Sequence, residues 1–177
     1  MKIEFVSIDQ LSETQKEGVR QLRNTVYPAE VLATTISKQF FMASPQWSVL
    51  VWDEGELVSR VGLLTREIVS NDETKTIGGI CGVLTHPDSQ SKGHASDAMR
   101  EAARILNAEW KVSFALLFCA SRLVEFYKRM DWKPFRGNIY VEHRKGKAQF
   151  TGNHPMVLDV RESAPVDGSL DLKGYPW

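Results

Sequence analysis

Apolar and polar residues alternate over residues 2–8, the period of a half-buried strand. Ser12 followed three residues later by Gln15 is a capping-box start, and Val19, Leu22 and Val26 give the helix that follows one apolar face. Gly18 lies inside that stretch, and the helix stops before Pro28. Residues 29–46 fit a short helix and then a loop, with Phe40, Phe41, Met42 and Trp47 in or beside it. Ser48–Trp52 and Leu57–Val69 are β-rich runs on either side of a hairpin turn, Asp53-Glu54-Gly55-Glu56. A second turn at Asn71-Asp72-Glu73 leads into a strand over Thr76–Thr85, which Pro87 ends because proline removes a ladder donor.

A polar, glycine-bearing loop over 88–93 then opens a long helix, with Ala95, Met99, Ala102, Ala103 and Leu106 at helical spacing. Phe114–Cys119 is apolar throughout, as a strand buried on both faces would be. Leu123–Met130 reads as a helix, and Trp132–Glu142 and Met156–Val160 as final strands, the former a candidate exposed edge. Residues 161–177 read as an irregular tail. The fold class this predicts is α/β in the α+β sense, one domain over 1–177. Its sheet is mixed, mostly antiparallel and twisted, with about six or seven strands flanked by about four helices.

Composition narrows the function. Lys+Arg and Asp+Glu both number 22, so no global field favours a polyanion, and nucleic acid is not the expected partner. No apolar stretch approaches the ~20 residues of a membrane span, and the first residues lack a signal-peptide core. Cys81 and Cys119 sit in apolar runs outside any CxxC or Cys/His cluster. They read as buried free thiols in a reducing cytoplasm, with no metal expected.

The most informative stretch is Val83-Leu84-Thr85-His86-Pro87-Asp88-Ser89-Gln90-Ser91-Lys92-Gly93-His94-Ala95. A buried strand ends there and a helix begins. The first N–H groups of a helix lack internal partners and carry the positive end of its dipole, so the turn suits a pyrophosphate. Gly93 would admit close approach, and Lys92 and His94 could add charge. The loop has neither the P-loop nor the G-x-G-x-x-G pattern, so NTP and dinucleotide binding fit poorly.

Gln90-Ser91-Lys92-Gly93-His94-Ala95 resembles the pyrophosphate loop of the GNAT acyltransferases, Gln/Arg-x-x-Gly-x-Gly/Ala. Leu123–Trp132 resembles that superfamily's next motif, with Asp131 where glycine is usual, a position that a left-handed Asp can fill. The resemblance covers residues 45–135 and implies a GNAT-like fold with acetyl-CoA (coenzyme A) as donor. It also implies that Val83, Leu84 and Thr85 pair with the pantetheine arm, that Gln90–Ala95 hold the pyrophosphate, and that a backbone N–H at Val83 or Leu84 faces the oxyanion. Tyr127 would protonate the departing thiolate.

An alkylamine acceptor, with a pKa near ~10.4, must lose a proton before attack. His86, Glu125, Glu142, His143 and Asp159 all remain open as the base. The C-terminus, closing on Gly174-Tyr175-Pro176-Trp177, resembles that of aminoglycoside 2'-N-acetyltransferases. That resemblance puts Trp177 at the acceptor site; an apolar anchor is the alternative. Where those enzymes carry a glutamate and a serine, this chain has Cys81 and Phe118, and their aspartate falls near Thr151 or Gly152. A polycationic antibiotic needs such carboxylates, so a less cationic or more apolar amine is expected. The reading is therefore a small-molecule N-acetyltransferase with Trp177, Phe118 and Cys81 toward the acceptor. A protein N-acetyltransferase and a non-catalytic acyl-CoA sensor are the alternatives, and homodimerisation, common in the superfamily, stays open.

Overall fold

The computed structural model describes residues 1–27 and 41–177. The strands are β1 Lys2–Ser7, β2 Trp47–Asp53, β3 Glu56–Ser70, β4 Glu73–Thr85, β5 Phe114–Cys119, β6 Lys133–Pro134, β7 Asn138–His143, β8 Gly146–Gln149, β9 His154–Asp159 and β10 Ser169–Asp171. The α-helices among the described residues are α1 Glu13–Val26, α2 His94–Ala108 and α3 Val124–Lys128. The capping box at Ser12 and Gln15 is formed reciprocally. The helix expected after Pro28 lies largely outside the described residues.

All ten strands of the described residues join one sheet. Antiparallel pairs link β1, β2, β3 and β4, then β4 runs parallel to β5, and β9 and β6 follow. The far end of β3 pairs instead with β10, and β7 and β8 continue from there. Both hairpins around β3 turn on two left-handed residues: Glu54 and Gly55 (φ +49° and +88°), then Asn71 and Asp72 (+47° and +68°). Such turns match the strand twist, which fixes the register of the β2–β3–β4 meander.

Residues directly opposite in a ladder share a face. Leu50, Arg60 and Leu84 are opposite one another, and Leu50 and Leu84 pack with Leu22 of α1. The alternate residues Val49, Val51, Val61, Leu63 and Ile80 pack with Met99, Ala102, Ile105 and Leu106 of α2. The two long helices therefore cover opposite faces. A second cluster, including Leu64, Ile68, Leu116, Ile139, Leu170 and Trp177, extends the α1 face toward β7.

Three expectations are corrected. Residues 132–142 are not one strand: the chain bends at Phe135–Gly137, where a Cβ on Gly137 would lie 2.2 Å from the Gly168 carbonyl oxygen. The two pieces consequently pair with different strands, β6 with β9 and β7 with β10. Nor is β7 an edge, because β10 and β8 flank it. The tail is not wholly irregular, since Ser169–Asp171 slots between β3 and β7. Short inserted strands such as β6, β8 and β10 raise the count from the expected six or seven to ten within the expected class.

Candidate functional site

The sheet opens between β4 and β5. Their parallel pairing covers only Gly78–Ile80 against Ala115–Leu117. Beyond Ile80, β4 keeps β3 alone as neighbour, while β5 stays on β9 to Cys119. A β-bulge sits at the opening: Gly62 is opposite Cys81 and Arg60 opposite Leu84, so Gly82 and Val83 together face Val61. The extra residue puts Cys81 and Leu84 on the same face and bends β4 away from β5. Gly82 takes φ +52° there. The β4 backbone from Cys81 to Thr85, which carries the expected Val83, Leu84 and Thr85, is thus left with an unpaired edge along the opening.

Two glycines brace the fork from both sides. A Cβ on Gly78 would lie 2.4 Å from Leu106 of α2, and one on Gly79 would lie 2.7 Å from the Trp177 indole. Only glycine lets both neighbours approach so closely. Trp177 is 5% exposed, donates from Nε1 to the Leu116 carbonyl at 3.3 Å, and carries the Arg66 guanidinium 5.1 Å above its ring. Its side chain takes the apolar-anchor role. Phe118 packs edge-on against Trp177 and Phe150, and half-buried Cys81 lies on the same face. Burial pushes the Cys81 thiol up to about 11, so it is an inert thiol at neutral pH.

Past β4 the chain makes a 3-10 turn over Pro87–Ser89 and enters α2 through Gly93, the helix N-cap, at φ +91°. Ser91 is also left-handed, at φ +62°. Among the described residues, no hydrogen-bond acceptor meets the backbone N–H of Ser91, Lys92, Gly93, His94, Ala95 or Ser96. Six consecutive donors at the positive end of a helix have the chemistry of an anion cradle. Gln90, Ser91, Lys92 and Gly93 are exposed around it. The sequence pattern places His94 with Lys92 among the groups that could add charge at the loop, but the His94 side chain is turned inward. It is buried, neither ring nitrogen has a hydrogen-bond partner, and Nε2 faces Asp53 Oδ2 at 3.8 Å.

Tyr127 lies on the α2 side, 3% exposed, edge-on to Phe126 and Trp132. Burial, with a smaller contribution from Cys119, holds its hydroxyl pKa above the ordinary tyrosine range, so the group stays protonated. Asp131 closes the helix at φ +64°, the left-handed cap expected of it.

The base candidates do not converge on the fork. His86 is spent capping the 3-10 turn, Glu125 is paired with Lys128, and Glu142 and His143 lie on β7. Asp159, held below the usual carboxylate range by Lys133, sits opposite Phe114 at the far end of β5. At the near end, sequence reading missed His154, opposite Cys119, whose Nε2 is 2.8 Å from Ser121 Oγ. No local signal marks that pair, which only the β5–β9 register creates. Among the described residues, no group of His, Cys, Asp or Glu could hold a metal, and no helix is long and apolar enough to cross a membrane.

The family model for the acetyltransferase (GNAT) domain matches residues 7–135. The fold is shared with Escherichia coli ElaA, at TM-score 0.63 and 16% identity over 89% of this chain and 99% of that one. An acyl-CoA N-acyltransferase of Pseudomonas aeruginosa is similar at TM-score 0.61 and 14% identity, covering 89% and 98% of the two chains. Escherichia coli YhbS, a GNAT family N-acetyltransferase solved in complex with CoA, has TM-score 0.61 and 12% identity over 98% and 91%. A search of curated protein sequences finds no match.

Proposed function

Since the chain belongs to the GNAT acetyltransferase family, we propose that it transfers acetyl from acetyl-CoA directly to the primary amine of a small molecule, with Tyr127 as general acid. The observation that carries this reading is the run of six unpartnered amides from Ser91 to Ser96, next to a bulged strand with a free edge. The cradle suits the pyrophosphate, and the open edge of β4 suits the amide-bearing pantetheine arm. The CoA held by YhbS, of the same fold, supports the assignment.

Bound acetyl-CoA supplies the thioester carbonyl. The donor enters along the face where α2 begins, so the amine reaches the fork from the α1 face, past Cys81 and Phe118. A backbone N–H of the bulge, at Val83 or Leu84, is the oxyanion donor in this reading. As the C–N bond forms and the C–S bond breaks, the amine's proton passes to water. Tyr127, kept protonated by burial, gives a proton to the leaving thiolate and regains one from solvent.

Calorimetric titration of acetyl-CoA beside acetyl-pantetheine tests the cradle. Acetyl-CoA should bind and the fragment lacking pyrophosphate should bind far more weakly; equal affinities would remove the cradle's role. An amine screen with coupled thiol release then tests transfer.

A further inference from the structure

Arg60 is an arginine in the sheet without a counterion among the described residues. It is 9% exposed, and its Nε donates to Ser48 Oγ at 2.9 Å. No carboxylate among the described residues lies within ion-pair distance of its guanidinium. A buried charge ordinarily has an ionic partner, because desolvation without one is costly. Burial accordingly lowers its pKa, opposed by Cys81 and assisted by the charge of Arg23.

Its position is specific. Arg60 shares the α1 face with Ser48, Gly62 and Cys81, and its Nη1 lies 3.3 Å from where a Cβ on Gly82 would stand. The guanidinium therefore sits at the β4 bulge, on the side from which the acceptor approaches. Its Nη groups are not sealed in: the only fully buried side-chain nitrogens without a partner among the described residues are those of His94. Arg23, whose charge acts on Arg60, forms no ion pair with a described carboxylate either, whereas Arg66, six residues further along β3, has Glu142 as an attractive charge and donates to the Tyr175 carbonyl. Arg60 and Arg23 thus put two cations near the bulge, where a polycation would require acids.

We propose that Arg60 binds a carboxylate on the acceptor, so that the substrate class is an amino acid or a related amine bearing an acid group. The proposal rests on the reading of this face as the acceptor side. An arginine fork held by one bond at Nε presents its two Nη groups to a carboxylate as a bidentate pair. The carboxylate would supply the counterion absent among the described residues and would set the amine at the fork beside Cys81.

The test pairs each of a panel of amino acids with its neutral carboxamide as acceptor for the full-length protein. Matching N-acetyl acids and N-acetyl amides are titrated into its CoA complex. The acids should be preferred about tenfold to a hundredfold in kcat/KM and in binding, the worth of a charge-assisted pair. Arg60→Met should erase that preference, and Arg60→Lys should keep part of it. Acetyl-CoA affinity checks that each variant folds, and the wild-type comparison stands without any variant. Acids and amides treated alike by the wild type, or a preference surviving in Arg60→Met, would overturn the proposal. Turnover of amines without regard to a carboxylate sinks it while leaving acetyl transfer intact. Arg60-dependent binding of N-acetyl acids without any turnover upholds it and sinks acetyl transfer instead. Acids that neither bind nor react end it.

Discussion

Replacing Gly93 with alanine adds one methyl group at a position with open space around it and an unsuitable backbone. The nearest heavy atom to the new Cβ is Asp97 Oδ2, at 3.9 Å, so no clash arises. The residue sits at φ +91° and ψ −12°, where an L side chain costs about 1–2 kcal/mol. Ser91, Lys92 and Gly93 are exposed, so the free loop can relax instead of bearing the strain. Relaxation scatters the amides of the cradle, and ligand binding must restore them. The cost then appears in affinity, as a dissociation constant for acetyl-CoA about 5- to 30-fold higher. Gly146→Ala is the matched control: φ is +109°, no atom lies within 4 Å of its Cβ, and it turns the β7–β8 hairpin. That change should cost stability and leave acetyl-CoA affinity as it was. Calorimetry for affinity and urea unfolding for stability separate the two effects. Wild-type affinity in Gly93→Ala, or an equal loss in Gly146→Ala, would refute the cradle.

Trp177→Ala empties the α1 side of the fork and should destabilise the fold by about 3–5 kcal/mol, read from denaturant midpoints. A loss under ~1 kcal/mol would show that the indole is not an anchor. Tyr127→Phe keeps the ring in its packed site and should lower kcat by about 10²- to 10⁴-fold with unchanged acetyl-CoA affinity, measured by steady-state kinetics beside titration. Alkaline pH should weaken the fold. Burial raises the Cys81 thiol from 9.0 to about 11, so the unfolded chain ionises first. Its contribution is intact below pH 9 and is lost as pH climbs toward 11. Thermal unfolding across that window should show the slope, and Cys81→Ala should reduce it without abolishing it, because burial raises Cys119 to about 11 as well.

Much of this protein is local in origin. The capping box at Ser12, the two-residue turns at Glu54-Gly55 and Asn71-Asp72, and the apolar run of β5 each depend on neighbours a few residues away. Periodicity and turn chemistry therefore determine them. The same holds for the run of unpartnered amides from Ser91 to Ser96, because these are consecutive donors whose orientation follows from Gly93 and the start of one helix. Tertiary structure decided what depends on pairing distant segments. The division of residues 132–142 between β6 and β7 needs β9 and β10 as partners, and β10 becomes a strand only because β3 and β7 leave a slot for it. His94 reads as loop charge in the chain, yet it is turned inward toward Asp53 because helix entry at Gly93 aims the next side chain at the sheet. Arg60 reads as one more polar position in a strand. Its isolation from every described carboxylate arises only when β2, β3 and the bulge of β4 are set side by side, since charge pairing is a property of space and not of sequence order.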